Sequence, residues 1–259
     1  MQTLSVKSPE EIAILRKGGR RLAAILAQVA SAVRPGVPAE ALDALARRLV
    51  AEGGDTPSFL NYQAKGDKKK FPAALCVSVN DEIVHGLPSA EKILKEGDIV
   101  GLDLGLRHLG LCTDAAVTVP VGAVDLASRK LISVTEQALA RAVTTARAGA
   151  TVGDIGFAVE SFVRQEGNYG IVRDLAGHGV GRAVHEKPLV PNYGKRGEGA
   201  LLEAGMVLAL EPMLTLGGEK IALAPDGFAY RTKDGSRAAH FEHTVVITEK
   251  GTEILTNTC

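Results

Sequence analysis

Apolar residues near the start of the chain recur with a helical period. From Ile12 to Val33 they follow one another mostly at three- and four-residue steps, which predicts a helix with one buried face. Residues 8–11 (Ser-Pro-Glu-Glu) offer a capping serine, a proline for the first turn and a glutamate three residues after the cap. A Pro-Gly pair at 35–36 ends this helix, and the pattern predicts a second helix over about 38–51.

The same order of signals returns in the second half of the chain. One predicted helix ends before Gly149, and a second follows a weaker, Asp-containing capping signal at 151–154 and runs to Gly167. Gly36 aligns with Gly149, and Gly54 aligns with Gly167, at one constant offset. The two helical passages therefore match in order and in spacing.

The predicted strands also occur twice. A Leu-x-x-Gly pattern that continues through two apolar residues to an acid spans 94–103 and again 202–211. Asp114 and Glu242 each begin a further run of small or β-branched residues that also match. Carboxylates therefore fall on the same relative positions in both passages.

These elements predict an α/β (α+β) fold with two pseudo-symmetric α/β halves, at about 9–122 and 125–250, that face each other within a single domain of residues 1–259. Chance agreement is the alternative for the helices, because capped helices look alike for physical reasons. The matching acids in the strands favour a duplication.

Four carboxylates share an apolar strand environment: Asp103, Asp114, Glu211 and Glu242. An acid in such a place is costly unless it is paired, hydrogen-bonded or bound to a metal ion. One strand aspartate alone is more often an edge or turn residue, but four at related positions indicate a set of metal ligands. Divalent ions would supply the counter-charge, and any imidazole ligand would favour transition metals over Mg or Ca.

The chain has only 6 histidines, so their positions carry information. His178 lies between glycines, which argue against a helix, so it does not share a helical face with His185. His85 and His185 are candidates for acid–base chemistry or substrate contact. The sequence pattern suggests no role for the remaining three, which are His108, His240 and His243.

Composition narrows the classes of partner. Lys+Arg and Asp+Glu are both 30, so the net charge of zero does not point to nucleic acid or to a membrane surface. No signal peptide is evident, and no apolar stretch is long enough to span a bilayer. Cys76, Cys112 and Cys259 form no CxxC pair, which favours a reducing, cytoplasmic location.

Taken together, several motifs resemble those of type I methionine aminopeptidases. The motifs are residues 76–88, Asp103 with Asp114, and residues 177–182, 185–188, 211–213 and 241–244. The resemblance runs from the first predicted helix nearly to the C-terminus. It implies the pita-bread fold, in which two α/β halves surround a central antiparallel sheet.

The resemblance also implies a centre with two divalent metal ions, of which Co, Mn, Fe, Ni and Zn are candidates. Asp103 would bind one ion, His178 and Glu211 the other, and Asp114 with Glu242 would bridge them. Glu211 is further implied as the acceptor of a proton from a water molecule.

Substrate contacts follow from the same resemblance. His85 and His185 would contact the peptide and stabilise the tetrahedral intermediate. The pocket for the methionine side chain would be lined by Tyr62, Phe71, Cys76 and Phe228. The implied activity removes the initiator methionine from nascent chains when the second residue is small.

The family also sets expectations about partners. We expect a monomer that acts on the N-termini of nascent polypeptides and binds neither membranes nor nucleic acid directly. Residues 63–70 are longer and more basic than the usual link at this point, with three consecutive lysines from Lys68 to Lys70. One hypothesis is a contact with the ribosome, and the alternative is a solvated loop.

Three other interpretations share the fold. X-Pro aminopeptidases and prolidases usually carry a large extra N-terminal domain, which residues 1–70 do not provide. Type II methionine aminopeptidases carry an insertion for which the short span from Glu211 to Glu242 leaves no room. A non-catalytic pita-bread binding protein would have lost ligands, whereas all of them are present here.

Overall fold

The computed structural model describes residues 4–63 and 68–257. Its first helix, α1 (Pro9–Ser31), begins at the predicted capping box. The Ser8 hydroxyl accepts a hydrogen bond from the Glu11 N–H at 3.3 Å, and the Glu11 carboxylate accepts one from the Ser8 N–H at 2.8 Å. The predicted start of this helix is confirmed.

The described elements come in two successive groups, each with a pair of helices followed by a run of strands. The helices are α1, α2 (Ala39–Glu52), α3 (Leu126–Thr145) and α4 (Val152–Glu166). The strands are β1 (Thr56–Pro57), β2 (Leu75–Val79), β3 (Glu82–Val84), β4 (Ile99–His108), β5 (Leu111–Pro120), β6 (Gly170–Ile171), β7 (Gly177–Gly179), β8 (Glu186–Val190), β9 (Val207–Leu210), β10 (Met213–Thr215), β11 (Ile221–Leu223), β12 (Tyr230–Thr232), β13 (Ala238–His240), β14 (Glu242–Thr248) and β15 (Gly251–Ile254).

The second pair of helices also starts at side-chain caps. Asp125 accepts a hydrogen bond from the Ser128 N–H at the start of α3. Thr151 and Asp154 form both halves of a capping box at the start of α4, although that signal is the weaker one in the sequence. Both helices lie where the apolar pattern predicts them.

One antiparallel sheet organises the chain. Within the described residues it has nine strands in the order β1-β4-β5-β14-β9-β7-β8, with β2 beside β4 and β15 beside β14. Two small sheets of three strands each, β13-β10-β6 and β11-β12-β3, complete the pairing. The mixed α/β class with a central antiparallel sheet is confirmed.

Two apolar clusters attach the helices to this sheet. The first joins α1 and α2 to β2 and β4, and the second joins α3 and α4 to β9 and β14. Val117 in β5 packs against both clusters. The helix pairs thus cover different parts of the sheet, as two halves would, but the origin of the halves by duplication stays a prediction. None of the helices in the described residues is long and apolar enough to cross a membrane.

Candidate metal centre

Strand alternation directs the predicted ligands to the sheet face opposite the helices. Leu102 and Leu104 in β4 pack in the cluster formed with α1 and α2. Successive side chains of a strand point to opposite faces, so Asp103 between them faces away from these helices. Asp103 in β4 and Glu242 in β14 both pair with Ala116 of β5. The two carboxylates therefore lie in one row across three strands.

The backbone of Asp114 is held by a side chain of β14. The Thr244 hydroxyl accepts a hydrogen bond from the Asp114 N–H at 2.8 Å and donates one to the Asp114 carbonyl at 2.7 Å. This double contact extends the pairing of β5 with β14, which are otherwise paired at only two positions of each strand. Thr244 thus fixes Asp114 against the strand that carries Glu242.

His178 lies in a strand and not in a helix, as its flanking glycines indicate. It pairs with Leu189 in β8 and with Ala209 in β9. A Cβ atom at Gly177 or at Gly179 would collide with a carbonyl oxygen of a neighbouring strand, so only glycine permits this close approach. Nδ1 of His178 donates to the carbonyl of Gly179 at 2.9 Å, which leaves Nε2 as the acceptor nitrogen.

The structure brings all five predicted metal ligands together. Asp114, His178 and Glu242 each offer one ligand atom within 4.8 Å of the others, and all three are buried. Glu211 Oε1 lies 3.5 Å from His178 Nε2, and Asp103 is close enough to Asp114 for the charge of Asp114 to raise the pKa of Asp103. Their assignment as ligands stays a prediction that this geometry supports.

The electrostatics of the cluster show why it needs a cation. Burial, followed by the charge of Glu211, raises the pKa of Asp114 to about 7. Burial raises the pKa of Glu211 to about 8, and burial together with the neighbouring acids raises the pKa values of Asp103 and Glu242 well above their ordinary range. Four crowded acids cannot all ionise without a counter-charge.

Oxygen atoms without a hydrogen-bond partner provide an independent test of whether this cluster suits a metal ion. Asp103 Oδ1, Asp114 Oδ1 and Glu242 Oε1 are buried and have no hydrogen-bond partner among the described residues. Burial, reinforced by neighbouring histidines, lowers the pKa of His178 to about 3, so its imidazole is neutral and able to bind a metal ion. Oxygen-rich donors with one neutral imidazole suit a divalent transition metal.

Two further predicted histidines lie beside this cluster. The ring of His185 contacts that of His178 with 4.4 Å between centroids, and its Nδ1 lies 2.7 Å from the Tyr62 hydroxyl. His85 has a φ of 58°, which is uncommon for a residue other than glycine and is a conformation enriched at functional sites. It is close enough for its charge to lower the pKa of His178.

The four predicted pocket residues belong to one apolar cluster on the same face of the sheet. Phe71 and Cys76 are buried in it, and Tyr62 and Phe228 pack against it. Phe71 meets Phe228 edge to face, with 5.6 Å between ring centroids. Cys76 pairs directly with Asp103, so the apolar wall begins beside the carboxylates. The geometry supports a pocket, whose role stays a prediction.

One residue in contact with the cluster has no role in the sequence pattern. His240 Nε2 lies 3.3 Å from Glu211 Oε2, and burial lowers the pKa of His240 to about 3. A signal is present in retrospect, because His240 stands two positions before Glu242, a spacing that favours the same face of extended chain. Asn192 also contacts this region and donates to the backbone carbonyl of Glu211 at 3.0 Å.

The Lys-rich segment is only partly described. Residues 64–67 of the predicted loop 63–70 lie outside the described residues. Lys68, Lys69 and Lys70 are exposed. Their hypothesised contact with the ribosome stays untested.

Comparison with known proteins gives one consistent family. Residues 13–249 match Metallopeptidase family M24. The chain is 44% identical to the methionine aminopeptidase of Aquifex aeolicus, with 98% of each chain covered. It is 39% identical to methionine aminopeptidase 1 of Bacillus subtilis, over 96% of this chain and 98% of that one.

Solved structures agree with these relatives. A crystal structure of a methionine aminopeptidase from Thermotoga maritima matches with a TM-score of 0.94 and 41% identity, covering 98% of this chain and 100% of that one. A prolidase from Pyrococcus furiosus matches with a TM-score of 0.74 but only 24% identity, and 66% of its length is covered. The prolidase shares the fold, and the predicted pita-bread fold is confirmed.

Proposed function

The chain belongs to Metallopeptidase family M24, and we propose that it removes the initiator methionine from nascent polypeptides whose second residue is small. It is a metallo-aminopeptidase, because it is similar over nearly its whole length to methionine aminopeptidases. The main observation behind this proposal is that four carboxylates and one neutral imidazole lie together in a buried cluster. Three of the carboxylate oxygen atoms have no protein partner among the described residues.

The ligand arrangement suits two divalent ions. Asp103 would bind one, His178 and Glu211 would bind the other, and Asp114 and Glu242 would bridge them. Bound ions of this kind polarise a scissile carbonyl and lower the pKa of a water molecule. Mixed carboxylate and imidazole donors accept Co, Mn, Fe, Ni or Zn, so metal supply would decide which ion is used.

The residues of the chain move the proton and hold the peptide. Glu211 would take the proton released when the water oxygen bonds to the carbonyl carbon, and would pass it to the amine that leaves as the C–N bond breaks. His240 and Asn192 contact Glu211 at its side chain and its carbonyl, respectively, so they would hold this carboxylate in place. His85 and His185 would donate hydrogen bonds to the peptide as charge develops on its carbonyl oxygen.

The apolar cluster next to the carboxylates fits a methionine side chain. Tyr62, Phe71, Cys76 and Phe228 offer an apolar surface beside Asp103, where an unbranched and polarisable side chain would pack well. With the side chain seated there, the free amine of the substrate would lie near one metal ion. That placement would restrict cleavage to the first peptide bond.

Location and partners are part of the same proposal. Nascent polypeptides are made in the cytoplasm, and Cys76 and Cys112 are free thiols, as a reducing compartment favours. The third cysteine, Cys259, lies outside the described residues. A monomer is the expected form. The X-Pro peptidase and non-catalytic alternatives are not favoured, since the full-length relatives are methionine aminopeptidases.

Peptide hydrolysis tests the function directly. The metal-free protein is titrated with Mn²⁺, Co²⁺, Fe²⁺, Ni²⁺ and Zn²⁺, and release of the first residue from Met-Ala-Ser and Gly-Pro-Met is measured. Metal-dependent release of methionine from the first peptide alone is expected. Cleavage of Gly-Pro-Met would support an X-Pro peptidase instead, and absence of cleavage with every metal would support a non-catalytic binding protein.

A further inference from the structure

The segment that precedes α1 carries a lysine into the protein interior. Lys7 donates its backbone N–H to the Gly205 carbonyl at 2.8 Å, and the preceding Val6 bridges to Met206. The side chain of Lys7 is 0% exposed. Lysine is almost never fully buried unless it is paired, so the partner of Lys7 indicates its structural role.

The partner of Lys7 is the residue that follows His185. Lys7 Nζ lies 2.6 Å from Glu186 Oε2, whose side chain is only 12% exposed, and 2.7 Å from the Ser5 hydroxyl. Burial lowers the pKa of Lys7, and the hydrogen bond to Glu186 opposes that shift. Removal of one partner from a buried ion pair leaves an uncompensated charge, so movement of either segment away from the other would be costly.

Glu186 in turn closes the turn that contains His185. Its other oxygen, Oε1, accepts a hydrogen bond from the Ala183 N–H at 2.9 Å. The stem of Lys7 also passes close beneath Gly181, where a Cβ atom would lie 2.5 Å from the Lys7 Cε. Lys7 therefore contacts the beginning of this loop and, through Glu186, its end.

His185 needs such support because it is an exposed residue on a loop. Its ring lies against His178 and near the Tyr62 hydroxyl, so a small shift of the turn would change both contacts. A misplacement of about 1 Å in a site can reduce a rate by about 100-fold.

We propose that Lys7 is a positioning residue, which holds His185 at the catalytic centre through the buried Lys7–Glu186 pair and the turn over 183–186. This inference rests on the proposed function, in which His185 contacts the peptide. Residues before the first helix would thus belong to the architecture of the active site.

A double-mutant cycle with metal-saturated enzyme tests the proposal. kcat and KM for Met-Ala-Ser are measured for the wild type, Lys7→Met, His185→Ala and the double variant. Lys7→Met is expected to lower kcat/KM by about 10-fold in the wild type, but by less than about 2-fold when His185 is already alanine, because residues that act as one unit are not additive. Lys7→Arg, which keeps the cation, is expected to recover part of the loss.

Arg16→Met is the matched control. Arg16 forms an ion pair with Glu253 that also joins the N-terminal part of the chain to a distant strand, but it does not contact the loop of His185. Its kcat/KM is expected to equal that of the wild type. Thermal unfolding of every variant shows whether the protein is folded at the assay temperature. If Lys7→Met does not fold, Glu186→Gln replaces it, because glutamine has the same shape and keeps an acceptor for Ala183.

The outcomes separate this inference from the proposed function. If Lys7→Met, or its replacement, lowers kcat/KM by the same factor in both backgrounds, or leaves it at the wild-type value, the positioning role is wrong while the aminopeptidase assignment stands. If the wild type itself does not release methionine, the proposed function is wrong and the inference with it. Loss confined to the background with an intact His185 supports the inference.

Discussion

The Nε2 atom of His240 lies 3.3 Å from Oε2 of Glu211, while His178 Nε2 lies 3.5 Å from the other oxygen of the same carboxylate. The backbone of His240 is fixed by Thr118, whose hydroxyl accepts its N–H at 2.9 Å and donates to its carbonyl at 2.8 Å. His240 Nε2 is buried and makes no hydrogen bond to a described residue, and a small rotation of either side chain would let its N–H donate to Glu211. Glu211 thus lies between two imidazoles, of which only that of His240 can donate to it, because the proton of His178 is on Nδ1.

Replacement of His240 therefore tests the support of Glu211. His240→Leu is expected to lower kcat or metal affinity by about 10- to 100-fold, the usual effect of removing an outer partner of a metal ligand. His240→Gln should retain most of both, because its amide group can still donate a hydrogen bond. Bound metal is measured by calorimetric titration and kcat with Met-Ala-Ser. Wild-type values for His240→Leu would show that Glu211 is held by other contacts.

The local signals in the sequence were sufficient for the helices and for the acids. Capping residues such as Ser8 and Thr151 mark helix starts because their hydrogen bonds join residues three positions apart. Asp103 and Glu242 stand out because an acid in an apolar strand is costly without a counter-charge. These features depend on near neighbours in the chain.

Other parts of the site depend on contacts across the fold. His240 reaches Glu211 because β13 pairs with β10, and no local pattern records that pairing. The local sequence gives no sign that Lys7 is buried, and its partner Glu186 is 179 residues away in the chain. The origin of such contacts is tertiary packing, so a single sequence predicts them only through a family resemblance.

Asp103→Asn is expected to abolish most of the activity while the fold remains intact. Asparagine has nearly the same shape, but it removes a negative charge that would hold a metal ion. The loss of kcat/KM should exceed the roughly 100-fold typical for outer partners of metal ligands. Asp125→Asn is the control, since Asp125 caps α3 and asparagine is an equally good cap. Full turnover by Asp103→Asn would contradict the ligand assignment.

The metal-free protein is expected to lose stability as the pH rises from about 6.5 to about 8.5. Asp114 and Glu211 have folded-state pKa values raised to about 7 and about 8, so the folded state binds more protons than the unfolded state below these values. Stability therefore falls as the pH rises through them. Below pH 6.5, His178 and His240 oppose this trend. Their folded-state pKa values are lowered to about 3, so the unfolded state binds more protons at these two residues, and their contribution to stability increases as the pH rises.

Thermal unfolding after treatment with a chelator measures this effect. The midpoint should decrease between pH 6.5 and 8.5, and Asp114→Asn should make the decrease shallower. Saturation with Mn²⁺ should raise the midpoint and remove most of its dependence on pH, because a ligand that binds only the folded state stabilises it and keeps the acids ionised, as they are in the unfolded state. A midpoint that is constant or rises with pH in the metal-free protein would show that the acids are not destabilised by burial.

The lysines of the 63–70 segment are expected to matter for ribosome association and not for peptide cleavage. Replacement of Lys68, Lys69 and Lys70 by alanine removes three exposed positive charges that would attract an acidic surface of the ribosome. Co-sedimentation with ribosomes should decrease, and the decrease should be largest at low salt. Alanine at three exposed lysines elsewhere (Lys17, Lys130 and Lys195) controls for total charge. Unchanged co-sedimentation of the first variant would end the hypothesis.

Phe228→Ala is expected to weaken substrate binding more than it slows the chemical step. Phe228 is half-buried and meets Phe71 edge to face, so its removal would open the predicted methionine pocket without emptying the core. Loss of contacts made equally in the ground state and the transition state raises KM and leaves kcat nearly unchanged. We expect KM for Met-Ala-Ser to rise by about 10-fold, which corresponds to roughly 1.4 kcal/mol of binding free energy.

A second aromatic residue provides the control for this prediction. Phe157 is also half-buried, but it lies in α4 with the Arg196 guanidinium over its ring, and it is not a member of the apolar cluster at the carboxylates. Phe157→Ala should therefore leave KM unchanged even if it lowers the unfolding temperature. Equal KM values for Phe228→Ala and the wild type would place the methionine side chain elsewhere. A fall in kcat without a change in KM would instead assign Phe228 to the support of the reacting groups.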